Sequence, residues 1–235
     1  TKTLKAWRWG SPGPTVVLIH GWGGRGLQLG AFAEPLVDAG FRVVAIDLPA
    51  HGSSSGESTS LPEAAAALRW VLDRAQREPG GLAGVVAHSF GCAVISAAIA
   101  ASMEPPQRTV FLAPPSDLNA VIERFGELTG FGPAVMERMR RDLASRFRFD
   151  WGQVQPYRVA AQLTSPLLVI HDVDDTETPW TAGRQLAESS PSGRFQLTHG
   201  LGHFRLLRSP EVVGQAVRFF NGEEEFFEPQ KRTDL

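Results

Sequence analysis

LAGVVAHSFGCAVISAAIAAS, residues 82–102, carries the strongest local signal in the chain. Its first seven residues form a short apolar run, the composition of a strand covered on both faces. Residues 91–102 are small and apolar and read as a buried helix. Between them AHSFG, residues 87–91, has to turn the chain sharply from strand to helix. A serine on such a turn is exposed, and the small Ala87 and Gly91 on either side let neighbouring backbones come close. Serine is a poor nucleophile at its ordinary pKa, so it needs that exposure and an activating base. The helix after Ser89 aims free N–H groups and a positive dipole end at the serine oxygen, which favours developing negative charge there. Ser89 is therefore the candidate nucleophile.

The strand and helix rhythm continues in both directions. VVLIH (16–20) and FRVVAID (41–47) are apolar runs, separated by a helix-like stretch from Leu29 to Ala39 that Gly40 closes. LPEAAAALRWVLDRAQRE (61–78) is rich in helix formers, with Pro62 in its first turn and Pro79-Gly80-Gly81 after its end. TVFLAP (109–114), PLLVIHD (166–172) and FQLTH (195–199) supply three more strands. Nearly continuous apolar strands separated by helices predict an α/β fold with a mostly parallel central sheet and helices on both faces. Leu4 to Trp9 is expected to add an antiparallel edge strand.

The stretch 115–164 breaks the rhythm. DLNAVIERFGELT and PAVMERMRRDLASRF are two helical segments without a strand between them, which predicts a small helical cap inserted in one domain spanning 1–235. Arg138, Arg140, Arg141, Arg146 and Arg148 make part of this stretch basic, while Phe131, Val135, Met139, Leu143 and Phe147 recur at spacings of three or four. That apolar stripe is expected to pack on the core behind a solvated arginine face, a reading compatible with a cap over the site. The tail EEEFFEPQKRTDL reads as a frayed end, with a dimer contact as the alternative.

Composition excludes several classes. The 235 residues are 43% apolar with a net charge of −2, and 23 basic and 25 acidic residues are mixed along the chain without a basic stripe. Nucleic acid is thus not an expected partner. No apolar run approaches the roughly 18 to 20 residues of a membrane helix, and the first ten residues lack the apolar core of a signal peptide. The expectation is a protein without a membrane span, cytoplasmic by default; the start at Thr1 leaves a removed export signal open. The single cysteine, Cys92, permits no internal disulfide and no cysteine-based metal site, and reads as helix packing. No cofactor or metal is expected, and monomer and homodimer both remain open.

Four further motifs surround the serine turn: HGWGG (20–24), DLPAHGSS (47–54), HDVDDTETP (171–179) and GLGHF (200–204). With them the sequence resembles the α/β-hydrolase superfamily, in its serine, carboxylesterase-like branch. HGWGG is similar to the family's oxyanion loop, HDVDDTETP to its acid turn, and GLGHF to its histidine loop. In DLPAHGSS, Ala50 stands where the family usually has glycine. The resemblance implies a triad in the chain order serine, acid, histidine, which Ser89, Asp175 and His203 obey. Each follows an apolar strand, so all three are expected at the carboxyl edge of one sheet, where open α/β sheets place their ligands. His203 would act as general base and Asp175 would hold its tautomer. The resemblance further implies an oxyanion hole from the backbone N–H groups of Trp22 and Phe90, whose side chains would line the substrate pocket. Trp180 and Trp151 read equally as pocket wall or core.

The remaining histidines have structural readings. His20 is expected to brace the oxyanion loop, His51 to fix its own turn and His88 to support the elbow, while His171 belongs to the acid strand. His199 lies four residues before His203, and the glycines at 200 and 202 favour His203 as the base. For the acid, Asp174 remains the alternative to Asp175. The family places it three residues after a glycine, here replaced by Asp172, a residue that tolerates left-handed backbone less easily.

The expected activity is hydrolysis of small or medium carboxylic esters through an acyl-serine intermediate. Thioesterase, lactonase and lyase chemistry, or a receptor-like binding role, are the alternatives. A serine at the elbow argues against the dehalogenases and epoxide hydrolases of the family, which use aspartate there.

Overall fold

A computed structural model describes residues 3–148 and 150–223. The tail beyond Glu223, for which a frayed end or a dimer contact was the expectation, lies outside the described residues.

Among the described residues, seven strands form one sheet: β1 (Ala6–Trp9), β2 (Thr15–Ile19), β3 (Arg42–Ile46), β4 (Leu82–His88), β5 (Arg108–Leu112), β6 (Leu167–Asp172) and β7 (Gly193–Thr198). Their spatial order is β1-β3-β2-β4-β5-β6-β7. Only β1 runs antiparallel, pairing its Ala6 with Ile46 and its Trp9 with Val43 of β3. The sheet is thus mostly parallel with one antiparallel edge, as the alternation of elements implies.

Side chains alternate between two cores. Val17, Ile19, Val85, Ala87, Phe111 and Val169 face α2 (Leu61–Arg77), α3 (Phe90–Ala100) and α7 (Trp180–Ser189). Val16, Leu18, Val86, Val110, Leu168 and Ile170 face α1 (Ala33–Asp38), the 3₁₀ turn Gly26–Phe32 before it, and α9 (Pro210–Phe220). β2, β4 and β6 are buried along their whole length, which is why they read as unbroken apolar runs. Each fully buried valine, leucine or isoleucine stabilises the fold by about 1.5–3 kcal/mol. α2 starts on Ser60, whose hydroxyl accepts from the Glu63 amide, and Pro62 sits in its first turn.

Between β5 and β6 lie α4 (Leu118–Thr129), α5 (Pro133–Phe147) and α6 (Pro156–Ala160). The base of this segment is closed by Leu118 N–H donating to Gln155 Oε1 at 2.8 Å and Tyr157 N–H donating to the Ser116 carbonyl at 3.2 Å. The apolar stripe of α5 does not pack on the core. Phe131 and Val135 are 51% and 52% exposed, and Met139, Leu143 and Phe147 are half-buried. The buried residue of α5 is Met136, set against Gly126 of α4, where an added Cβ would come within 3.0 Å of Met136 Cγ. The two helices pack on each other through that narrow seam, which turns part of the expected stripe to solvent.

Candidate functional site

Every site motif emerges at the same carboxyl edge of the sheet. Ser89 follows β4, the 20–24 loop follows β2, the 47–54 turn follows β3, Asp175 follows β6, and His203 follows β7 in the short α8 (Gly202–Arg205). Ser89 adopts φ 51° and ψ −117°, a conformation costly for any residue with a Cβ. Surrounding contacts enforce it. Ser89 N–H donates to the Leu112 carbonyl of β5 at 2.9 Å, and its own carbonyl accepts from Cys92 N–H at 2.9 Å. Gly91 lets α3 approach β2 so closely that an added Cβ would lie 2.8 Å from the Ile19 and His20 carbonyls. Cys92 is structural: its buried thiol donates to the Ala87 carbonyl at 3.1 Å, and burial pushes its pKa well up.

The 20–24 loop folds over the elbow. A Cβ on Gly21 would meet His88 Nδ1 at 3.0 Å and Ser89 Cβ at 3.1 Å, so this loop lies against the Ser89 and His88 side chains only because position 21 is glycine. Gly24 N–H closes a turn on the Gly21 carbonyl at 3.1 Å, with Gly23 at φ 67°; because the peptide is trans, the Trp22 N–H points away from that carbonyl, out of the turn. The Phe90 amide opens α3, where helical N–H groups have no intrahelical partner. These are the two amides expected to bind an oxyanion.

His20 braces this loop. Its Nδ1–H donates to the Gly21 carbonyl at 2.7 Å and its Nε2 accepts from Leu48 N–H at 2.9 Å. Burial lowers its pKa from 6.5 to about 4, keeping the ring neutral. His51 Nδ1–H donates to the Pro49 carbonyl at 2.9 Å within its own turn, where Ala50 carries φ 59° in place of the usual glycine. His88 lies behind His203, ring centroids 4.7 Å apart, and its Nε2–H donates to the His203 carbonyl at 3.0 Å. Burial and the neighbouring His203 lower the His88 pKa to about 3.

Asp175, not Asp174, reaches the imidazole of His203, the candidate base: its Oδ2 lies 2.7 Å from His203 Nδ1. The same oxygen accepts from His171 Nε2 at 3.1 Å, and Oδ1 accepts from the amides of Glu177 and Thr178 at 2.8 and 2.9 Å. Burial alone would raise this carboxyl's pKa; the hydrogen bonds from His171, His203 and Thr178 outweigh it and hold the group well below the usual carboxylate range. Asp174 instead accepts from Gly200 N–H at 2.8 Å. Asp172 does not need the left-handed backbone that a glycine there suggested, because it is absent from the residues with positive φ. His199 is exposed.

Around the site, Trp22 is 65% exposed and meets the rings of Phe90 and His51 edge-on at 5.1 and 5.3 Å. Phe204, 58% exposed, presents its ring edge-on to His203 at 4.9 Å and forms a wall that sequence reasoning did not single out, although it lies inside GLGHF. In the sequence His171 stands only as part of the acid strand, and its four-residue spacing from Asp175 is the one sequence mark of their contact. Trp180 stands apart from Trp22 and Phe90 in its ring contacts: it packs on Phe195 of β7 at 6.4 Å, as a wall between α7 and the sheet. Trp151 anchors α5, its Nε1–H donating to the Arg140 carbonyl at 3.0 Å. Among the described residues, no group of three or more His, Cys, Asp or Glu side chains could hold a metal ion. Nor is any helix among them long and apolar enough to cross a membrane.

Residues 16–216 match the alpha/beta hydrolase family. Over 131 residues, 54% of this chain, the sequence is 37% identical to the dihydrolipoyllysine-residue acetyltransferase component of the acetoin cleaving system of Cupriavidus necator; the match spans 30% of that relative's length. The fold superposes on a putative non-heme bromoperoxidase, BpoC, of Mycobacterium tuberculosis with a TM-score of 0.70 at 22% identity, covering 94% of this chain and 96% of the other. A malate-bound thermophilic esterase from Thermogutta terrifontis is similar at a TM-score of 0.69 and 21% identity, with 94% of each chain covered.

Proposed function

The chain belongs to the alpha/beta hydrolase family, and from that premise we propose that it is a serine hydrolase acting on small or medium carboxylic esters through an acyl-Ser89 intermediate. The observation that carries the reading is the 2.7 Å contact between Asp175 Oδ2 and His203 Nδ1, at the sheet edge where Ser89 holds its φ of 51°. A buried carboxylate on Nδ1 keeps that nitrogen protonated and leaves Nε2 as the base.

In this mechanism His203 Nε2 takes the Ser89 proton as Oγ attacks the ester carbonyl. The Trp22 and Phe90 amides receive the oxyanion, a contribution for which each donor is typically worth about 100- to 1000-fold in turnover. The imidazolium then protonates the departing alkoxide, and Asp175 stabilises its charge. Water, deprotonated by the same nitrogen, releases the acid. The Trp22, Phe90 and Phe204 rings form an apolar wall for the acyl or alcohol group, and the helices within 115–164 serve as the cap that sets substrate size. The likeness to a named esterase supports ester as the substrate class.

The test is a series of p-nitrophenyl esters of increasing acyl length, with Ser89→Ala as control and fluorophosphonate labelling of the serine. Expected is turnover of short and medium esters that falls to background in Ser89→Ala, with labelling of Ser89 alone. No turnover across the series together with no labelling would overturn the reading.

A further inference from the structure

Where the family usually has a glycine, this chain carries Asp172 at the end of β6, with a fully buried side chain. A carboxylate is an acceptor with about four lone-pair sites, and here four donors meet it. Asp174 N–H and Gly202 N–H donate to Oδ1 at 3.0 and 2.9 Å. Thr198 Oγ1–H and Leu201 N–H donate to Oδ2 at 2.7 and 3.1 Å. These donors come from three places: the turn bearing Asp175, the end of β7, and the loop bearing His203.

The loop is shaped to receive the carboxylate. Leu201 at φ −95° is right-handed and Gly202 at φ 61° left-handed, an alternation that turns successive N–H groups toward one concave side and holds anions. Asp174 captures the preceding amide, Gly200 N–H, at 2.8 Å. Three consecutive amides of the histidine loop are therefore bound by two carboxylates of the acid turn before Asp175 touches the imidazole. The many hydrogen bonds to Asp172 also offset its burial and hold its carboxyl below the usual range.

We propose that Asp172 is a positioning residue that locks the loop carrying His203 to the turn carrying Asp175, setting the imidazole's register against its carboxylate. The proposal rests on the triad reading above and adds to it. A direct Asp175–His203 bond fixes one distance; the clamp fixes the path of the backbone on either side of it. With glycine at this position the four donors would lose their buried carboxylate acceptor.

Asp172→Asn tests this, because the amide keeps the shape but turns an NH₂ toward two of the four donors. Expected is a folded protein whose kcat for a p-nitrophenyl ester falls about 10- to 100-fold, the scale of a misplacement near 1 Å, while KM stays within about twofold. The far-downfield proton resonance of His203 Nδ1–H, assigned by its absence in His203→Gln, should shift or broaden. A folded Asp172→Asn with unchanged kcat and resonance overturns the proposal. If Asp172→Asn does not fold, Thr198→Val removes one donor only; a shifted resonance supports the clamp and an unchanged one refutes it. The resonance needs no substrate. A wild type that shows it without hydrolysing esters would therefore sink the proposed activity while leaving the clamp testable.

Discussion

Replacing Asp175 by asparagine separates the two aspartates that the sequence leaves open. Asp175 spends Oδ2 on His203 Nδ1–H and His171 Nε2–H, and Oδ1 on the Glu177 and Thr178 amides. An asparagine can satisfy only one of these pairs. With its nitrogen toward the imidazoles, His203 and His171 face a donor; with the amide turned, two backbone N–H groups do. Because His171 Nε2–H keeps the Thr178 carbonyl at 3.0 Å and the Glu177 amide is open to water, one buried donor loses its partner either way, so stability falls by about 1–3 kcal/mol, or about 2–12 °C in Tm for a chain of this size. The kinetic loss is larger in kind. Without a carboxylate on Nδ1 the imidazole adopts the wrong tautomer, and kcat should drop about 10⁴-fold, equivalent to about 5 kcal/mol of transition-state stabilisation. Asp174→Asn, which disturbs one bond to Gly200, should cost less than about tenfold. Thermal melts followed by ester kinetics well below each Tm make the comparison. If Asp175→Asn keeps activity within tenfold of wild type, or Asp174→Asn loses as much, the assignment is refuted.

Two further expectations concern stability. His20 and His88 are held at about 4 and about 3, against an ordinary 6.5, so the unfolded chain takes up protons that the folded one refuses. Their contribution is complete above pH 6.5 and declines as pH falls toward the folded values. At about 1.4 kcal/mol per unit of difference, several kcal/mol are at stake. Urea midpoints should drop between about pH 6.5 and 4.5, ahead of the window in which Asp172 and Asp175 lose their charge, and less steeply in His88→Gln; a flat profile contradicts the assigned burial. Ala50, at φ 59°, pays about 1 kcal/mol or more for left-handed backbone. Ala50→Gly relieves this against the greater freedom of an unfolded glycine and should raise Tm by about 1–3 °C; a lower Tm would show that the methyl's contacts matter more.

Much of this protein is legible along the chain because the physics involved is local. A strand covered on both faces must be apolar throughout, so β2, β4 and β6 announce themselves, and their alternation with helices dictates a parallel sheet. Ser89 is marked by the strand before it, the helix after it and the small residues its tight turn requires. His203 is marked by the two left-handed glycines before it. The three aspartates at 172, 174 and 175 carry no such marks: they share one chemistry within four positions, and what distinguishes them is where a loop from a different strand passes. The family's count from position 172 favours Asp175, but only the tertiary structure shows it on the imidazole and gives Asp172 and Asp174 to the backbone of that loop. The same limit applies to α5, whose stripe has the period of a packed helix, yet which of its residues are covered depends on the seam that Met136 makes with Gly126. Periodicity states which residues can share a face; only the neighbouring element decides which of them leave water.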